Sequence, residues 1–179
     1  MERATRIVKI VLICMLLLIV LYTVIMWIVM GHKSKIPTGF IDGLYFTSRP
    51  KAAIRLLGDP ESIRDKMDLF AEVSYDFNIE SDGRPVEITL VYAKDKYLYH
   101  AIMRTTAESK EEAEQLFEAW TGKMIRAYEG IDGYYCRERH TNSDTQYTQE
   151  LGVNRGATGV SVTVSVVENT VEIDSWDME

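Results

Sequence analysis

Metal binding or acid–base and nucleophilic work in this chain would fall first to three histidines and two cysteines, and their placement speaks against it. His32, His100 and His140 show no H-x-x-x-H or comparable ligand spacing. Cys136 and His140 would share a strand face, yet four residues of strand separate them by roughly 13 Å, beyond the hydrogen-bond reach of a nucleophile and its base. Cys14 follows Leu12 and Ile13, where a lipobox requires a small residue, and reads as a small apolar side chain. G-x-S-x-G, a phosphate loop and a dinucleotide fingerprint are all absent from the sequence. The expectation is a non-enzyme with no catalytic residue, no cofactor and no metal.

Binding chemistry is better represented, in the stretch Tyr134-Tyr135-Cys136-Arg137-Glu138-Arg139-His140. It is strand-like but too polar to be buried on both faces. Alternation would project Tyr135, Arg137 and Arg139 from one side as a basic and aromatic strip on an acidic domain. Tyr and Arg are enriched where proteins grip partners, so these three are the candidate partner-binding residues. The alternative is a solvated sheet face with cross-strand pairs to Gln146 or Glu150.

The segment before the strip sets where it would be displayed. Residues 10–30 form an uninterrupted charge-free apolar run, long enough as a helix to cross a hydrocarbon core of roughly 30 Å. Val29 and Gly31 imitate a cleavage site, but the run exceeds the 7–15 residues of a signal h-region. Arg3, Arg6 and Lys9 crowd the nine residues before it, and positive flanks stay in the cytoplasm. The reading is a cytoplasmic tail at 1–9, a single transmembrane helix at 10–31, a tether at 32–47 and an extracytoplasmic domain at 48–179. From Lys33 onward 17 Lys and Arg stand against 26 Asp and Glu, a balance that excludes nucleic acid. With one cysteine after the run, no internal disulfide can form there, so packing must hold the fold.

The elements follow from periodicity. Pro37, Gly39 and Gly43 punctuate the tether. Ser48 opens a short helix with Pro50 in its first turn, and Gly58 and Pro60 close it; residues 61–67 continue as another helical turn. Alternation over 69–79 predicts a strand, and Asp82-Gly83 turns it into a second with Val86, Ile88, Leu90 and Tyr92 inward. A third strand, Tyr97 to about Thr105, is apolar on both faces and belongs in the middle of a sheet. Ser109 and Glu112 make a capping box for a second helix that carries Ala113, Leu116, Phe117, Trp120 and Met124 on one face and ends at Gly130. Strands at 133–141, 144–153 and 158–167 follow, with Val171 and Ile173 either in a last strand at 170–176 or in one long strand with the preceding run. The fold class is α+β, a helix plus three strands twice over, with halves at about 48–105 and 108–176 and an antiparallel sheet.

That order, together with Gly43-Leu44-Tyr45-Phe46-Thr47-Ser48 leading to Ala53-Ile54-Arg55-Leu56-Leu57-Gly58-Asp59-Pro60, resembles small extracytoplasmic lipoproteins of the SmpA/OmlA type and related β-lactamase-inhibitor-like domains. Ala127-Tyr128-Glu129-Gly130 is similar to the "YG" that closes the second helix in tandem forms. The resemblance implies a binding or assembly module. The chain departs from the lipoproteins in lacking a lipidated cysteine. The functional expectation is a single-pass cell-membrane protein, held by the lipid bilayer, whose outer domain binds an envelope protein. The alternative is a sensory or regulatory subunit that signals through a membrane partner.

Overall fold

A computed structural model of the chain describes residues 15–23, 36–66, 72–93, 97–156 and 159–177. The chain divides into two compact units, Met1–Lys35 and Ile36–Glu179. In the first unit residues 15–23 are helical (α1), and the side chains from Met15 to Tyr22 are exposed.

Among the described residues no helix is long and apolar enough to cross a membrane. At 1.5 Å per residue the described residues 15–23 cover about 13 Å, less than half of a hydrocarbon core. The expected transmembrane helix over 10–31 is corrected accordingly, and with it the single-pass anchor and the placement of the domain across a membrane. Residues 10–14 and 24–31, with Cys14 and the imitation cleavage site, lie outside the described residues.

In the second unit two helices, α2 (Pro50–Leu57) and α3 (Lys110–Tyr128), accompany strands β1 (Ser62–Lys66), β2 (Glu72–Ser81), β3 (Arg84–Tyr92), β4 (Leu98–Thr106), β5 (Tyr134–Cys136), β6 (His140–Ser143), β7 (Gln146–Asn154), β8 (Gly159–Val167) and β9 (Thr170–Asp177). All nine described strands belong to one sheet, in the order β1-β2-β3-β4-β9-β8-β7-β5, with β6 also paired to β7. Every pairing is antiparallel. The fold is therefore dominated by this sheet, and the expected α+β tandem of a helix plus three strands is corrected. Two local departures produce the change. Residues 61–67 were expected to turn as helix, but Glu61 donates its amide to Asp76 O and the Ser62 and Arg64 side chains bind the Asp76 carboxylate, which draws the segment onto β2 as an edge strand. The strand expected over 133–141 lapses at 137–139, leaving β5 and β6 as two short pieces.

The hairpin β2–β3 forms at Asp82-Gly83, where both residues take positive φ, the backbone that a two-residue turn between twisted strands requires. Val86, Ile88, Leu90 and Tyr92 are buried on its inner side. β4 lies between β3 and β9, in the middle of the sheet as its two apolar faces predict. The turn at Glu168-Asn169 separates β8 from β9, so the terminal apolar run is two strands.

α3 packs on β7, β8 and β9 through Ala113, Phe117, Met124 and Tyr128. Its start is the expected capping box in slightly altered form: Ser109 Oγ accepts from the Glu112 amide, whereas the Glu112 carboxylate reaches back to the Glu108 amide. α2 has Pro50 in its first turn and Gly58 at its end, but Ser48 does not cap it. The Ser48 hydroxyl accepts from the Tyr45 amide instead, and Arg49 occupies the cap position.

The tether expected at 32–47 is different from Ile36 on. Ile36, Phe40, Ile41, Leu44 and Phe46 are all buried. Lys123 Nζ donates to Phe40 O at 2.9 Å and the Tyr128 hydroxyl to Pro37 O at 2.7 Å, which ties the segment to α3. Thr47 N donates to Leu98 O, and Leu98 N to Ser48 O, which ties it to the start of β4. A Cβ at Gly39, where φ is +85°, would press on the Met124 side chain. Residues 36–46 form a strap, laid over the core.

Candidate functional site

Antiparallel register places directly paired residues on one face of the sheet. One row crosses the face opposite α3 from edge to edge. It runs from Arg64 through Ser74 and Val91 to His100, then through Trp176, Ser161 and Gly152 to Tyr135. A second row contains Asp76, Thr89, Ile102, Asp174, Thr163 and Glu150. This outer face is as polar and charged as the inner face is apolar.

Its centre lies at the junction of β4 and β9. The ladder shifts register where Val91 pairs with His100 and Tyr92 with Leu98, so Tyr99 is an extra residue in β4. Such a bulge re-aims a side chain, and here Tyr99 and His100 line the same hollow. The Tyr99 hydroxyl donates to the Glu72 carboxylate. His100 Nε2 lies 2.8 Å from Asp174 Oδ1, and because an ionised carboxylate only accepts, Nε2 carries the hydrogen. The imidazole is stacked on the Trp176 indole, centroids 3.5 Å apart and planes 14° apart. Trp176 is nevertheless 43% exposed.

Glu72, Tyr99, His100 and Trp176, with Arg64, Glu87 and Arg104, line a hollow of about 390 Å³ that reaches from β1 to β9. Two more open hollows of about 400 Å³ each continue the same face, one beside Glu168 and Glu172, the other between Tyr135, Arg137 and Glu150. The arginines of the face are already matched. Arg64 forks onto Asp76 at 2.8 and 2.6 Å, Arg104 onto Glu172, and Arg137 meets Glu150 at 2.7 Å. Partial burial works to raise the Asp76 carboxyl, but hydrogen bonds from Arg64, Ser62 and Thr89 outweigh it and hold it below the usual carboxylate range.

A histidine fixed by a carboxylate is two-thirds of an acyl-transfer arrangement, but among the described residues no serine, threonine or cysteine is hydrogen-bonded to the ring. The pair instead orients the imidazole, and the imidazole in turn holds the indole. No group of three or more His, Cys, Asp or Glu among the described residues is placed to hold a metal. His140 and Cys136 are exposed, and His32 lies outside the described residues.

Of the strip Tyr135, Arg137 and Arg139, two members share the outer face. Tyr135 and Arg137 both reach Glu150, the cross-strand partner weighed from the sequence. Arg139 is corrected to the other side. Because the ladder lapses at 137–139, alternation no longer governs the side chain, and Arg139 turns to α3, where it meets Glu114 at 2.6 Å and Glu118 at 3.2 Å. Its guanidinium also lies 3.9 Å from the Tyr147 ring centroid and 4.9 Å from that of Phe117.

No protein-family model matches this chain, and no curated protein or solved structure matches it. Sequence reasoning did not reach the centre of the outer face, because Trp176 and His100 are 76 positions apart and only the β4–β9 register joins them. A signal was present in His100, Ile102 and Arg104, whose even spacing sets them on the side opposite Ala101 and Met103.

Proposed function

We propose that the second unit is a non-catalytic protein-binding module that takes its partner on the outer face of the sheet. The observation that carries this reading is Trp176, exposed at the centre of that face yet held in one orientation by His100 and Asp174. Exposed aromatic anchors dominate binding energy, and an anchor already immobilised loses little rotamer freedom on association. The extent of the face fits. Seven inter-strand spacings of about 4.8 Å span about 34 Å, and some 20 Å of strand gives about 700 Å², close to the roughly 800 Å² that each partner contributes to a stable complex. The hollows are open and walled by charged groups, which suits protruding side chains of a protein better than an enclosed apolar ligand. The SmpA/OmlA-type likeness implies a role of the same class.

Site-specific crosslinking tests the reading in cells that make the full chain. A photoreactive phenylalanine analogue replaces Thr163, in the middle of the face, or Lys51, on α2. A discrete protein adduct is expected from position 163 and none from position 51, and Trp176→Ala, with its melting curve unchanged, is expected to remove the adduct. Equal adducts from both positions, none from 163, or indifference to Trp176→Ala would overturn the proposal.

A further inference from the structure

The centre of the outer face offers side chains and no backbone. β4 lies between β3 and β9, and β9 between β4 and β8, so their amides and carbonyls are committed to ladders on both sides. A partner segment seated there cannot add as a strand, as it could at a sheet edge, and its own main chain has to stay hydrated or lack donors. Charge is closed on itself at this point. Trp176 pairs across the ladders with His100 and Ser161, has Ile102 and Thr163 on its diagonals, and is followed along the face of β9 by Asp174. Of these only His100 and Asp174 are ionisable, and they are joined to each other at 2.8 Å. The pairs Arg104–Glu172, with Glu87 across the ladder, Arg137–Glu150 and Arg64–Asp76 stand around this centre.

What the centre presents is aromatic. The Tyr99 and Trp176 ring centroids are 6.2 Å apart with planes inclined at 54°, and both residues line the hollow. Each ring is held from behind, Tyr99 by its hydroxyl on Glu72 and the indole by its stack on His100. Ile102 adds an aliphatic wall on the diagonal. The indole N–H has no hydrogen-bond partner among the described residues, which leaves a donor beside the rings. A polyproline II segment meets these conditions together. Proline has no N–H to satisfy, the extended helix makes no internal hydrogen bonds and leaves its carbonyls as acceptors, and its conformation is set before binding. It advances about 3.1 Å per residue, so an x-Pro dipeptide covers about 6 Å, the separation of the two rings.

We infer that this aromatic centre receives a proline-containing segment of the partner protein in polyproline II conformation, with a proline ring laid against Trp176, its neighbour in the segment against Tyr99, and a segment carbonyl accepting from the indole N–H. The inference deepens the proposed binding role and rests on it for the identity of the face. It specifies the partner by backbone conformation and ring contact, with the ion pairs around the centre left intact.

The full chain labelled with 5-fluorotryptophan provides the test, its three resonances assigned by replacing Trp27, Trp120 and Trp176 in turn with Phe. An acetylated, amidated hexaproline peptide is titrated in parallel with a Ser-Leu-Ser-Leu-Ser-Leu peptide blocked in the same way, which offers apolar side chains on a flexible backbone that keeps its N–H groups. The Trp176 resonance is expected to move saturably with hexaproline and to remain in place with the leucine peptide. Tyr99→Leu, with its melting curve unchanged, is expected to weaken the hexaproline titration about five-fold, the size of one aromatic contact. No saturable movement with hexaproline, equal response to the leucine peptide, equal movement of the Trp120 resonance, or an unchanged titration in Tyr99→Leu would overturn the inference. If any of those results came with a Trp176-dependent adduct at position 163, proline recognition would fall and the binding face would stand. A hexaproline titration as expected with no adduct would support the proline site and overturn the capture of a partner in those cells.

Discussion

At the scale of single residues, Arg139 separates a binding role from a structural one. It lies across the edge of the core, its guanidinium stacked over Tyr147 and bonded to Glu114 and Glu118, at 31% side-chain exposure. The hydrogen bond from Arg139 is the main cause that holds the Glu114 carboxyl below its ordinary range, and burial with Glu114 nearby pushes the Tyr147 hydroxyl up to about 12. A carboxyl whose folded-state pKa is depressed contributes stability above its unfolded pKa and loses it as pH falls through the folded value. The melting temperature should therefore fall as pH drops below about 4. Arg139→Ala should start about 1–2 kcal/mol less stable at neutral pH, from the lost stack and ion pairs. Its acid limb should be shallower, because Glu114 returns to ordinary titration. Melting curves of both proteins between pH 2 and 7 decide this, and parallel limbs would show that Glu114 takes its low pKa from elsewhere. The same variant should keep the adduct at position 163, since Arg139 is turned away from the outer face.

At the scale of elements, one glycine governs the β5–β7–β8 region. A Cβ at Gly152 would overlap the Val160 carbonyl oxygen and sit 3.1 Å from the Tyr135 hydroxyl oxygen. The backbone of β8 is fixed by ladder bonds on both sides and cannot yield as a side chain would. Gly152→Ala should therefore cost about 2–4 kcal/mol, at the upper end of single substitutions, in a urea unfolding series. A loss under 0.5 kcal/mol would mean that β7 and β8 shift apart freely. What the sequence disclosed about elements divides along similar lines. Strands whose apolar residues alternate with polar ones, such as Val160 to Val166, were legible because local pattern and tertiary environment agree. β1 was not, because Ser62-Ile63-Arg64-Asp65-Lys66 has no decisive period and becomes a strand only through Asp76, a residue on another element. The lapse at 137–139 was hidden for the same reason, and it sent Arg139 to the wrong face of the expected strip. The candidate site depended on register across β4 and β9, which no local window contains.

At the scale of the whole unit, the strap at 36–46 should be indispensable. It buries five apolar side chains, each contributing about 1.5–3 kcal/mol, a sum comparable with the 5–15 kcal/mol that separates most domains from unfolding. A chain beginning at Ser48 should lose its cooperative thermal transition, whereas a fragment that melts within a few degrees of the parent would reduce the strap to a surface decoration. Another feature of the sheet concerns time. β9 pairs with β4 in the interior of the sheet, and β8 and β7 follow outward from it. During synthesis, β1 to β4 can assemble as a small sheet, but its open edge at β4 has no partner until Thr170–Asp177 has emerged. Contacts this distant in sequence form slowly, because loop closure comes before any gain. Trp176 and Asp174 arrive with that strand and meet His100 only when it docks. Neither half of the chain has the indole and the imidazole together, so a partner that grips Trp176 in its stacked orientation binds finished molecules and passes over nascent or truncated ones.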